Sequence, residues 1–458
     1  MTATIELEPG YVGNLDSSQE QKLHQFWRIL IQSWDASIPS PDPARKSSIS
    51  SNVPDKSHRR FFSFGRSQAQ PTEEEISAIP ANLHDTLKSL DAGAADLKSI
   101  GSLLIKLPGD QVRSAFLVIL KQDHPDALLL RFLRAEKWNV PKAWIKFVSS
   151  LNWRVNEYMV DEEVMLKGEE HNLEKSRRET DSTDKKDGEG YVLQLNTGKG
   201  YFHGADKFGR PICVVRVRIH NPSEQTQKGL FDYIIHCIES VRFLQVPPVE
   251  SMAIVFDLTS FSLSNWDFPP VKFIIDSFQE NYPESLGAMI FYNAPWIFSG
   301  FWKIIHGILD PVVASKVHFI SGAKELEELV PKSQILKELG GEEEWEYEYI
   351  EPTPGENDRL KDTATRDDIL AKRKLLGDEL FNVTSELISK SDTQSPDSAD
   401  SVQSRRAEVI RKLSENYWVL DPGGTIDFYP ARAPTQVNEK PEIAEKAVDD
   451  AQVPTIVA

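Results

Sequence analysis

The stretch ENYPESLGAMIFYNAPWIFSGFWKIIHGILDPVVASKV, residues 280–317, holds the pattern that decides the fold. It contains a compact apolar run, GAMIFYN (287–293), which predicts a buried strand. Fifteen residues then separate Pro295 from Pro311, and nine of them are large and apolar. A transmembrane helix needs about 20 apolar residues, so this segment is too short to span a bilayer. It is still more apolar than a helix at a protein surface needs to be.

The segment between the two prolines has one apolar face when it is placed on a helix from Trp296 to Leu309, at about 100° per residue. That face consists of Ile297, Phe298, Phe301, Trp302, Ile304, Ile305, Ile308 and Leu309. One interpretation is an ordinary amphipathic helix that packs on its own sheet. Trp296 falls on the polar side, at the N-terminal end, where its ring suits a membrane interface. The alternative interpretation is that the inner face walls an apolar cavity while the outer end touches a bilayer.

Short apolar runs alternate with helical stretches over residues 190–350. The runs are 211–219, 252–258, 287–293 and 316–320, and the helical stretches include 228–244 and 269–281. Strands that alternate with helices predict βαβ units on a mostly parallel sheet. The fold class is therefore predicted as α/β, with a mostly parallel sheet that follows a helical N-terminal region.

Composition divides the chain into five predicted domains and one connection. Residues 1–36 contain a docking helix that starts at a capping box of Ser17 and Glu20. Ser- and Pro-rich residues predict a disordered insert at 37–84. A helical lobe at 85–165 and a sheet lobe at 190–352 follow, with a highly charged and partly disordered connection at 161–189 between them. The polar extension at 353–458 is expected to contain one helix near 401–420 and a disordered end.

Composition limits the possible partners and the compartment. The formal net charge is -18, which argues against nucleic acid because a phosphate backbone binds a concentrated basic face. The two cysteines, Cys213 and Cys237, lie in apolar settings and are expected to be buried free thiols in a reducing compartment. The first residues lack the basic and apolar parts of a signal peptide. A cytoplasmic protein that meets membranes only through its surface is therefore expected.

Sequence motifs for catalysis are missing. The chain has no GxSxG nucleophile elbow, no GxxxxGK[ST] phosphate loop and no HExxH. The scattered histidines are expected to lie at the surface or in the core rather than to act as bases; they are His203, His236, His306 and His318. Asp257 and Asp310 each end an apolar run, where such residues cap or turn the chain. We therefore predict no catalytic residue, no metal site and no cofactor, so the chain is not expected to be an enzyme.

Two stretches resemble a known family. RFLRAEKWNVPKAW (131–144) resembles the N-terminal signature of the CRAL-TRIO lipid carriers. Residues 280–317 resemble the core of that family, with its YPE, NAP, LDP and SK landmarks in order. GNLDSSQEQ (13–21) is similar to the N-terminal element of yeast-type phosphatidylinositol transfer proteins. The resemblance covers about 13–34, 110–165 and 190–350, and the layout is most similar to the fungal phosphatidylinositol-transfer branch.

The resemblance implies a helical N-terminal lobe packed on a mostly parallel-sheet lobe, with a cavity that encloses one lipid. The segment from Pro295 to Pro311 would be a gate helix that opens at a membrane and closes over the acyl chains, with Val313 beside it. Because each CH₂ returned to water costs about 0.8 kcal/mol, a two-chain lipid needs such a cavity to leave a bilayer. The family's headgroup residues match Glu284 in YPE and Lys316 in SK. A carboxylate accepts hydrogen bonds from inositol hydroxyls, and an ammonium faces phosphate.

This chain departs from the family pattern at several positions. Phosphatidylinositol binders carry a basic residue where Glu136 stands, and the adjacent Lys137 is expected to replace it in part. They also carry a threonine where this chain has Val313. Met252 and Ile254 occupy the region of the polar pair that holds the phosphatidylcholine headgroup. Phosphatidylcholine exchange by the usual site is therefore not expected.

The function predicted from these observations is lipid carriage. The chain would bind one phospholipid, above all phosphatidylinositol, and transfer or present it between membranes. It would act as a monomer in the cytoplasm, with a transient membrane surface of the endoplasmic reticulum or endosome as its partner. One alternative cargo is a neutral hydrophobic lipid, such as an isoprenoid or a sterol-like molecule. Another alternative is a lipid-sensing scaffold, in which the 401–420 helix or the 37–76 insert recruits a partner.

Overall fold

The computed structural model describes residues 8–34, 70–245, 247–353, 355, 358–392 and 396–420. The expectations for the start of the chain, for most of the predicted insert and for the disordered end lie outside these residues. The helices of the N-terminal lobe are α1 (Ser17–Gln32), α2 (Glu73–Ser77), α3 (Ala81–Ser89), α4 (Ala94–Lys106), α5 (Gly109–Leu120), α6 (Pro125–Ala135) and α7 (Val140–Asn152). Their apolar faces bury one continuous core.

Helix α1 docks on this lobe through its aromatic face. Phe26 and Trp27 are almost completely buried, and their rings meet Phe147 at 6.1 Å and Phe116 at 5.5 Å between centroids. Such edge-to-face pairs are typical of buried aromatic rings. The helix begins one residue earlier than the predicted capping box. Asp16 is the N-cap, because its carboxylate accepts from the N–H of Gln19 at 2.8 Å.

The prediction of a disordered insert over 37–84 is wrong for its last part, where α2 and the start of α3 lie. Thr72 and Glu75 form a capping box, in which each side chain accepts from the other residue's backbone N–H. Ile79 and Leu83 are buried in the core of the lobe. Apolar anchors and a cap therefore order a stretch that its polar composition assigned to the insert.

The expectation of a partly disordered connection at 161–189 is also wrong. A π-helical turn spans Val160–Met165, and α8 (Gly168–Ser176) and α9 (Thr183–Thr197) follow it. The two helices approach closely at Gly188, where a Cβ would lie 2.8 Å from the carbonyl oxygen of Asn172. Ion pairs such as Lys175 to Asp184 at 3.0 Å accommodate the charges. A highly charged stretch is thus helical because one face of it is packed.

The described strands form one five-stranded sheet in the order β1 (Gly200–Ala205), β2 (Pro211–Arg216), β3 (Met252–Asp257), β4 (Leu286–Tyr292) and β5 (Val317–Ile320). β1 is antiparallel to β2, and β2 to β5 are parallel. The predicted α/β class with a mostly parallel sheet is confirmed. The four parallel strands point the same way, so the sheet has an amino edge, where they begin, and a carboxyl edge, where they end.

The two faces of the sheet pack differently because side chains alternate along each strand. Val214, Val255 and Ile290 face a compact core that is completed by α14 (Ala323–Leu326) and the 330–339 segment. Cys213, Ile254 and Met289 face the other side. That side is covered by α10 (Gln227–Ser240), α11 (Phe268–Asp276), α12 (Phe298–His306) and α13 (Pro311–Ala314).

Buried charges join the two lobes. The guanidinium of Arg154, which is 2% exposed, pairs with Asp161 at 2.5 Å and Glu239 at 2.6 Å. Glu239 also pairs with Lys121 at 2.8 Å. Burial alone would raise the pKa of Glu239, but the charges of Arg154 and Lys121 outweigh it and hold that pKa well below its ordinary value. Removing one partner of such a buried pair is strongly destabilising.

The C-terminal extension contains two described helices, whereas the sequence predicted only the one near 401–420. These are α15 (Thr363–Asp392) and α16 (Pro396–Leu420), which pair antiparallel and lie on the N-terminal lobe. Arg406 donates to both carboxylate oxygens of Asp126, at 2.5 and 2.7 Å. Phe381 packs against Trp34, with ring centroids 4.8 Å apart and the ring planes tilted by 50°. Helix α15 was missed because charged residues dilute its narrow apolar stripe.

Candidate functional site

A large apolar cavity lies between the sheet and the helices that cover the face of Cys213, Ile254 and Met289. Its empty volume, counted out to its open mouth, is about 1290 Å³. The walls are formed by side chains from β2, β3 and β4, from α10 and α11, and from α12. An apolar wall of this kind suits a molecule with a long apolar body.

The chemistry of these walls follows from the sequence of the strands. Every second residue of β3 and β4 points into the cavity, including Met252, Ile254 and Phe256. Cys213 and Cys237 also line it, and both are free thiols. Burial raises the pKa of the Cys213 thiol to about 12, so the thiol stays neutral near pH 7. The main part of the cavity therefore offers contact to hydrocarbon rather than to charge.

The predicted gate segment borders the cavity, but its helix is shorter than expected. The sequence predicted a helix from Trp296 to Leu309, whereas α12 runs from Phe298 to His306. Gly307 follows it directly, and glycine is a poor helix former. Asp310 then starts α13, where its carboxylate accepts from the N–H of Val312 at 2.8 Å.

The gate residues occupy three kinds of position. Phe298 and Ile305 are buried and line the cavity. Six others are partly buried against the core on the same side of the sheet: Ile297, Phe301, Trp302, Ile308, Leu309 and Val313. Ile304 is 50% exposed and Trp296 is 86% exposed. The segment therefore presents apolar surface both inward and to solvent.

Aromatic side chains of α12 connect the gate segment to the sheet and to its neighbouring loop. Phe301 stacks on Trp266, with centroids 4.2 Å apart. Trp302 meets Phe291 at 5.5 Å and Phe319 at 5.1 Å, both edge to face. These contacts hold α12 over the cavity through side chains alone, since a helix makes no backbone ladder with the sheet.

The two predicted headgroup residues are brought together at the amino edge of the sheet. Glu284 precedes β4 and Lys316 precedes β5, and Lys316 Nζ lies 3.4 Å from a carboxylate oxygen of Glu284. The side chains are 18% and 21% exposed. Neither belongs to the lining of the cavity. Lys137 is exposed after the end of α6 and forms no ion pair with the described residues, while Glu136 pairs with Lys146 at 3.2 Å.

A second polar group, not predicted from the sequence, lies in the cavity wall at the carboxyl edge. We call Lys199, His220 and Asp267 the carboxyl-edge cluster. Lys199 Nζ lies 3.3 Å from His220 Nδ1, and His220 Nε2 lies 3.2 Å from a carboxylate oxygen of Asp267. Lys199 Nζ also donates to Gln225 Oε1 at 3.1 Å. Lys199 is only 6% exposed.

Burial determines the electrostatics of this cluster. It lowers the pKa of Lys199 to about 8, although the negative charges of Glu224 and Asp267 oppose the shift. Burial and the positive charge of Lys199 also lower the pKa of His220, against the hydrogen bond to Asp267. Near pH 7 the cluster therefore contains a mostly protonated lysine and a neutral imidazole.

Little in the sequence signals the carboxyl-edge cluster. Lys199 stands in NTGKGYFH, a glycine-rich piece without the spacing of a phosphate-binding loop. His220 and Asp267 are 21 and 47 residues from their neighbours in the cluster. Only the turn of the chain at the ends of β2 and β3 brings these side chains together. The one usable hint was a lysine directly before a buried strand.

Two other predicted histidines have contacts outside the cavity. His236 is buried and contacts the hydroxyl of Tyr191, and His203 lies 2.9 Å from Glu343. In the described part of the chain, no group of three His, Cys, Asp or Glu side chains is placed to hold a metal ion. None of the helices in that part is long and apolar enough to cross a membrane.

Comparison with known families gives two matches. The model of the CRAL/TRIO domain matches residues 195–341, which include the sheet and its cavity. The model of the CRAL/TRIO N-terminal domain matches residues 82–149, which form most of the N-terminal lobe. Both matches fall on the two lobes described above.

Similar proteins are found in fungi. A protein named phosphatidylinositol transfer protein CSR1, from Eremothecium gossypii, is 34% identical over 90% of this chain and 95% of its own length. A CRAL-TRIO domain-containing protein from Schizosaccharomyces pombe is 32% identical over 89% of this chain and 88% of its own length. Among solved structures, the crystal structure of Sfh5 matches 58% of this chain and 97% of its own chain, at 17% identity and a TM-score of 0.38.

Proposed function

The chain belongs to the CRAL-TRIO family, and we propose that it is a lipid carrier that binds one phospholipid in its apolar cavity. The favoured cargo is phosphatidylinositol, which the protein would transfer or present between membranes. The observation that carries this proposal is the cavity of about 1290 Å³ with nearly all of its wall apolar. The similarity to a protein named for phosphatidylinositol transfer supports the choice of cargo.

The size of the hydrophobic effect explains why such a cavity is needed. Each CH₂ exposed to water costs about 0.8 kcal/mol, so two chains with about 15 methylenes each would cost roughly 24 kcal/mol. A lipid with two chains therefore leaves a bilayer only when another apolar surface replaces the membrane. The cavity wall offers that surface, with Val215, Ile254 and Phe291 on the sheet and Ile234 and Ile274 on the helices.

The charged pair at the amino edge suits a headgroup that carries both hydroxyls and phosphate. Glu284 and Lys316 compensate each other at 3.4 Å. An inositol ring would donate hydroxyl hydrogen bonds to Glu284, and its phosphate would accept from Lys316. Lys137 would add a third contact, because its ammonium is exposed and forms no ion pair within the described residues. The acyl chains would extend from this edge into the cavity.

The gate segment would contact the membrane during exchange. Trp296 and Ile304 point to solvent, while Phe298 and Ile305 on the same segment face the cavity. Tryptophan favours the interface between headgroups and hydrocarbon. Insertion of the exposed side chains into a bilayer would move α12 and open the cavity to lipid. The carrier would act as a monomer at cytoplasmic membrane surfaces, such as those of the endoplasmic reticulum or endosome, without catalysis or a cofactor.

Transfer of radiolabelled phosphatidylinositol between vesicles tests this proposal. We expect Glu284→Ala with Lys316→Ala to lower the transfer rate at least tenfold, because the headgroup loses two charge-assisted hydrogen bonds. Glu284→Lys with Lys316→Glu is the matched control, since it keeps an ion pair but exchanges the two charges. A binding role predicts that this swap also fails.

Three outcomes would each contradict a different part of the proposal. If the double alanine variant transfers phosphatidylinositol as fast as the wild type, the headgroup site is assigned wrongly. If the swap restores transfer that the alanine variant has lost, the pair is only structural. If the wild type transfers no phospholipid, the proposed function itself is wrong.

A further inference from the structure

The cavity has a second polar end, and we propose that the carboxyl-edge cluster binds the hydroxyl group of a lipid alcohol. The inference rests on the proposed function, because the cavity must first hold lipid. It adds a second class of cargo, which is uncharged and which enters with its polar group at the opposite edge of the sheet. It also assigns a binding role to Lys199 and Asp267.

The position of the cluster separates it from the headgroup pair. Lys199 directly precedes β1, and its carbonyl oxygen accepts from the N–H of Arg216, at the end of β2, at 2.7 Å. Asp267 is the N-cap residue of α11. Glu284 and Lys316 lie where β4 and β5 begin. At about 3.3 Å per residue, a strand such as β3 places the two edges roughly 17 Å apart, with the apolar wall between them.

The hydrogen bonds of the cluster have one consistent direction. An ammonium can only donate, so His220 Nδ1 accepts from Lys199, and the proton of the neutral ring is on Nε2. Nε2–H then donates to Asp267 at 3.2 Å. Lys199 uses a second proton on Gln225. Within the described residues, its third proton has no acceptor, and the other oxygen of Asp267 has no donor.

These two unused groups define the ligand. Lys199 and Asp267 are both lining residues of the cavity, and we assign to the ligand one donor and one acceptor of the cluster. A hydroxyl group both accepts and donates hydrogen bonds, whereas an ester or ketone oxygen only accepts. The neighbouring wall consists of Val217, Trp266 and Val271 among other apolar side chains. The rest of the ligand must therefore be hydrocarbon.

Charge argues against a phosphate or carboxylate at this end. The single positive charge of Lys199 already faces Asp267 and Glu224, whose charges both act on it. An anionic ligand would add a further negative charge to a group with little solvent. Leaving a buried charge without compensation is costly. An uncharged alcohol avoids this cost and still uses the unpaired N–H.

The test compares alcohols with the matching hydrocarbons. Radiolabelled cholesterol and cholest-5-ene, and 1-hexadecanol and hexadecane, are each presented to the full chain in phosphatidylcholine vesicles, and uptake is measured after the vesicles are removed. The wild type is expected to bind at least one alcohol about tenfold more tightly than its hydrocarbon. A preference within the sterol pair or within the straight-chain pair identifies which kind of alcohol is the cargo.

Two substitutions distinguish hydroxyl binding from simple hydrophobic uptake. Lys199→Met keeps the length of the side chain and is expected to reduce alcohol uptake about tenfold, with hydrocarbon uptake within twofold of the wild type. Lys207→Met, at an exposed lysine on the turn before β2, is the matched control and should change neither. If Lys199→Met does not fold, Asp267→Asn replaces it, and a loss of about threefold for the alcohol alone is expected.

Equal uptake of alcohol and hydrocarbon by the wild type would overturn the inference, as would an equal loss of both in Lys199→Met. Phosphatidylinositol transfer is measured on the same preparations. Transfer without any preference for an alcohol would mean that this inference fails while the proposed function stands. Failure to take up either phosphatidylinositol or an alcohol would overturn both.

Discussion

The amino and carboxyl edges of the sheet both carry a lysine near a carboxylate, yet their surroundings differ. At the amino edge, Lys316 pairs directly with Glu284, and both side chains lie outside the cavity lining. At the carboxyl edge, Lys199 reaches Asp267 only through His220, and all three line the cavity. One pair is partly solvated, whereas the other lysine is 6% exposed.

This difference shows that residue type alone does not define a binding site. A lysine and a carboxylate that meet at the surface compensate each other, and such pairs contribute little to stability. In the apolar wall, the imidazole of His220 lies between the lysine and the carboxylate and makes only one hydrogen bond with each. Lys199 and Asp267 therefore keep hydrogen-bonding groups that neither uses on the other. The amino edge therefore suits a charged headgroup that displaces an ion pair. The carboxyl edge suits an uncharged group that forms the remaining hydrogen bonds of Lys199 and Asp267.

Filling the cavity is expected to have the largest effect, because both classes of cargo would share its apolar middle. Ile254 is 4% exposed and lies on the cavity face of β3. Ile254→Trp should reduce uptake of both phosphatidylinositol and the alcohol at least a hundredfold, since the indole occupies the shared space. Overpacking also costs about 1–3 kcal/mol of stability, which urea unfolding would measure.

The control for this variant is Val255→Ala, on the opposite face of the same strand. It destabilises the sheet without entering the cavity, so uptake should persist. Loss of one cargo with full retention of the other in Ile254→Trp would mean that the two edges do not serve one cavity.

The second prediction concerns stability and pH at the carboxyl edge. The pKa of Lys199 is about 8 in the folded protein and 10.5 in its unperturbed state. Between these values the unfolded chain binds more protons, so the free energy of unfolding rises with pH because of this group. Relative to Lys199→Met, the wild type should gain about 3 kcal/mol between pH 8 and pH 10.5.

Urea unfolding of both proteins at several pH values measures this difference, and titrating groups that the two proteins share cancel out. Below pH 8 the difference should be constant, because Lys199 is protonated in both the folded and unfolded states. A difference that stays flat up to pH 10.5 would contradict the burial of a charged lysine in the wall.

The smallest expected effect is at the gate segment, which follows the carboxyl edge of β4. Trp296→Ala should weaken binding to phosphatidylinositol-containing vesicles about two- to fivefold, because the bilayer interface loses one indole. Stability should not change, since Trp296 is 86% exposed. Vesicle co-sedimentation measures the binding.

Phe208→Ala is the matched control for that variant. Phe208 is 57% exposed on the turn between β1 and β2, at the opposite edge of the sheet. Its removal should leave vesicle binding unchanged. Equal losses in the two variants would mean that the gate segment is not the membrane-contacting surface.

The sheet could be predicted from the sequence because its signal is local. The runs that became β3 and β4 are short and apolar with turn residues at their ends, and each needs only its own residues to be recognised. The same holds for Asp310, which was expected to cap or turn the chain and is the N-cap of α13. The meeting of Glu284 with Lys316 was reached through the family resemblance rather than through any local pattern.

The features that were missed depend on contacts between distant residues. Helix α15 is stable because Phe381 and Arg373 pack on the N-terminal lobe, where Arg373 donates to the carbonyl oxygens of Leu117 and Lys121. Its own sequence is too polar to reveal this. The carboxyl-edge cluster joins residues 199, 220 and 267, which lie before β1, after β2 and directly before α11. No spacing rule connects such positions until the topology of the sheet is known.

The most direct test of lipid carriage is mass spectrometry of organic extracts from the full chain, purified from a eukaryotic host without added lipid. We expect about one lipid molecule per protein chain, with phosphatidylinositol among the species recovered. A protein that is folded and contains no lipid in such extracts would contradict the claim that the cavity holds a cargo.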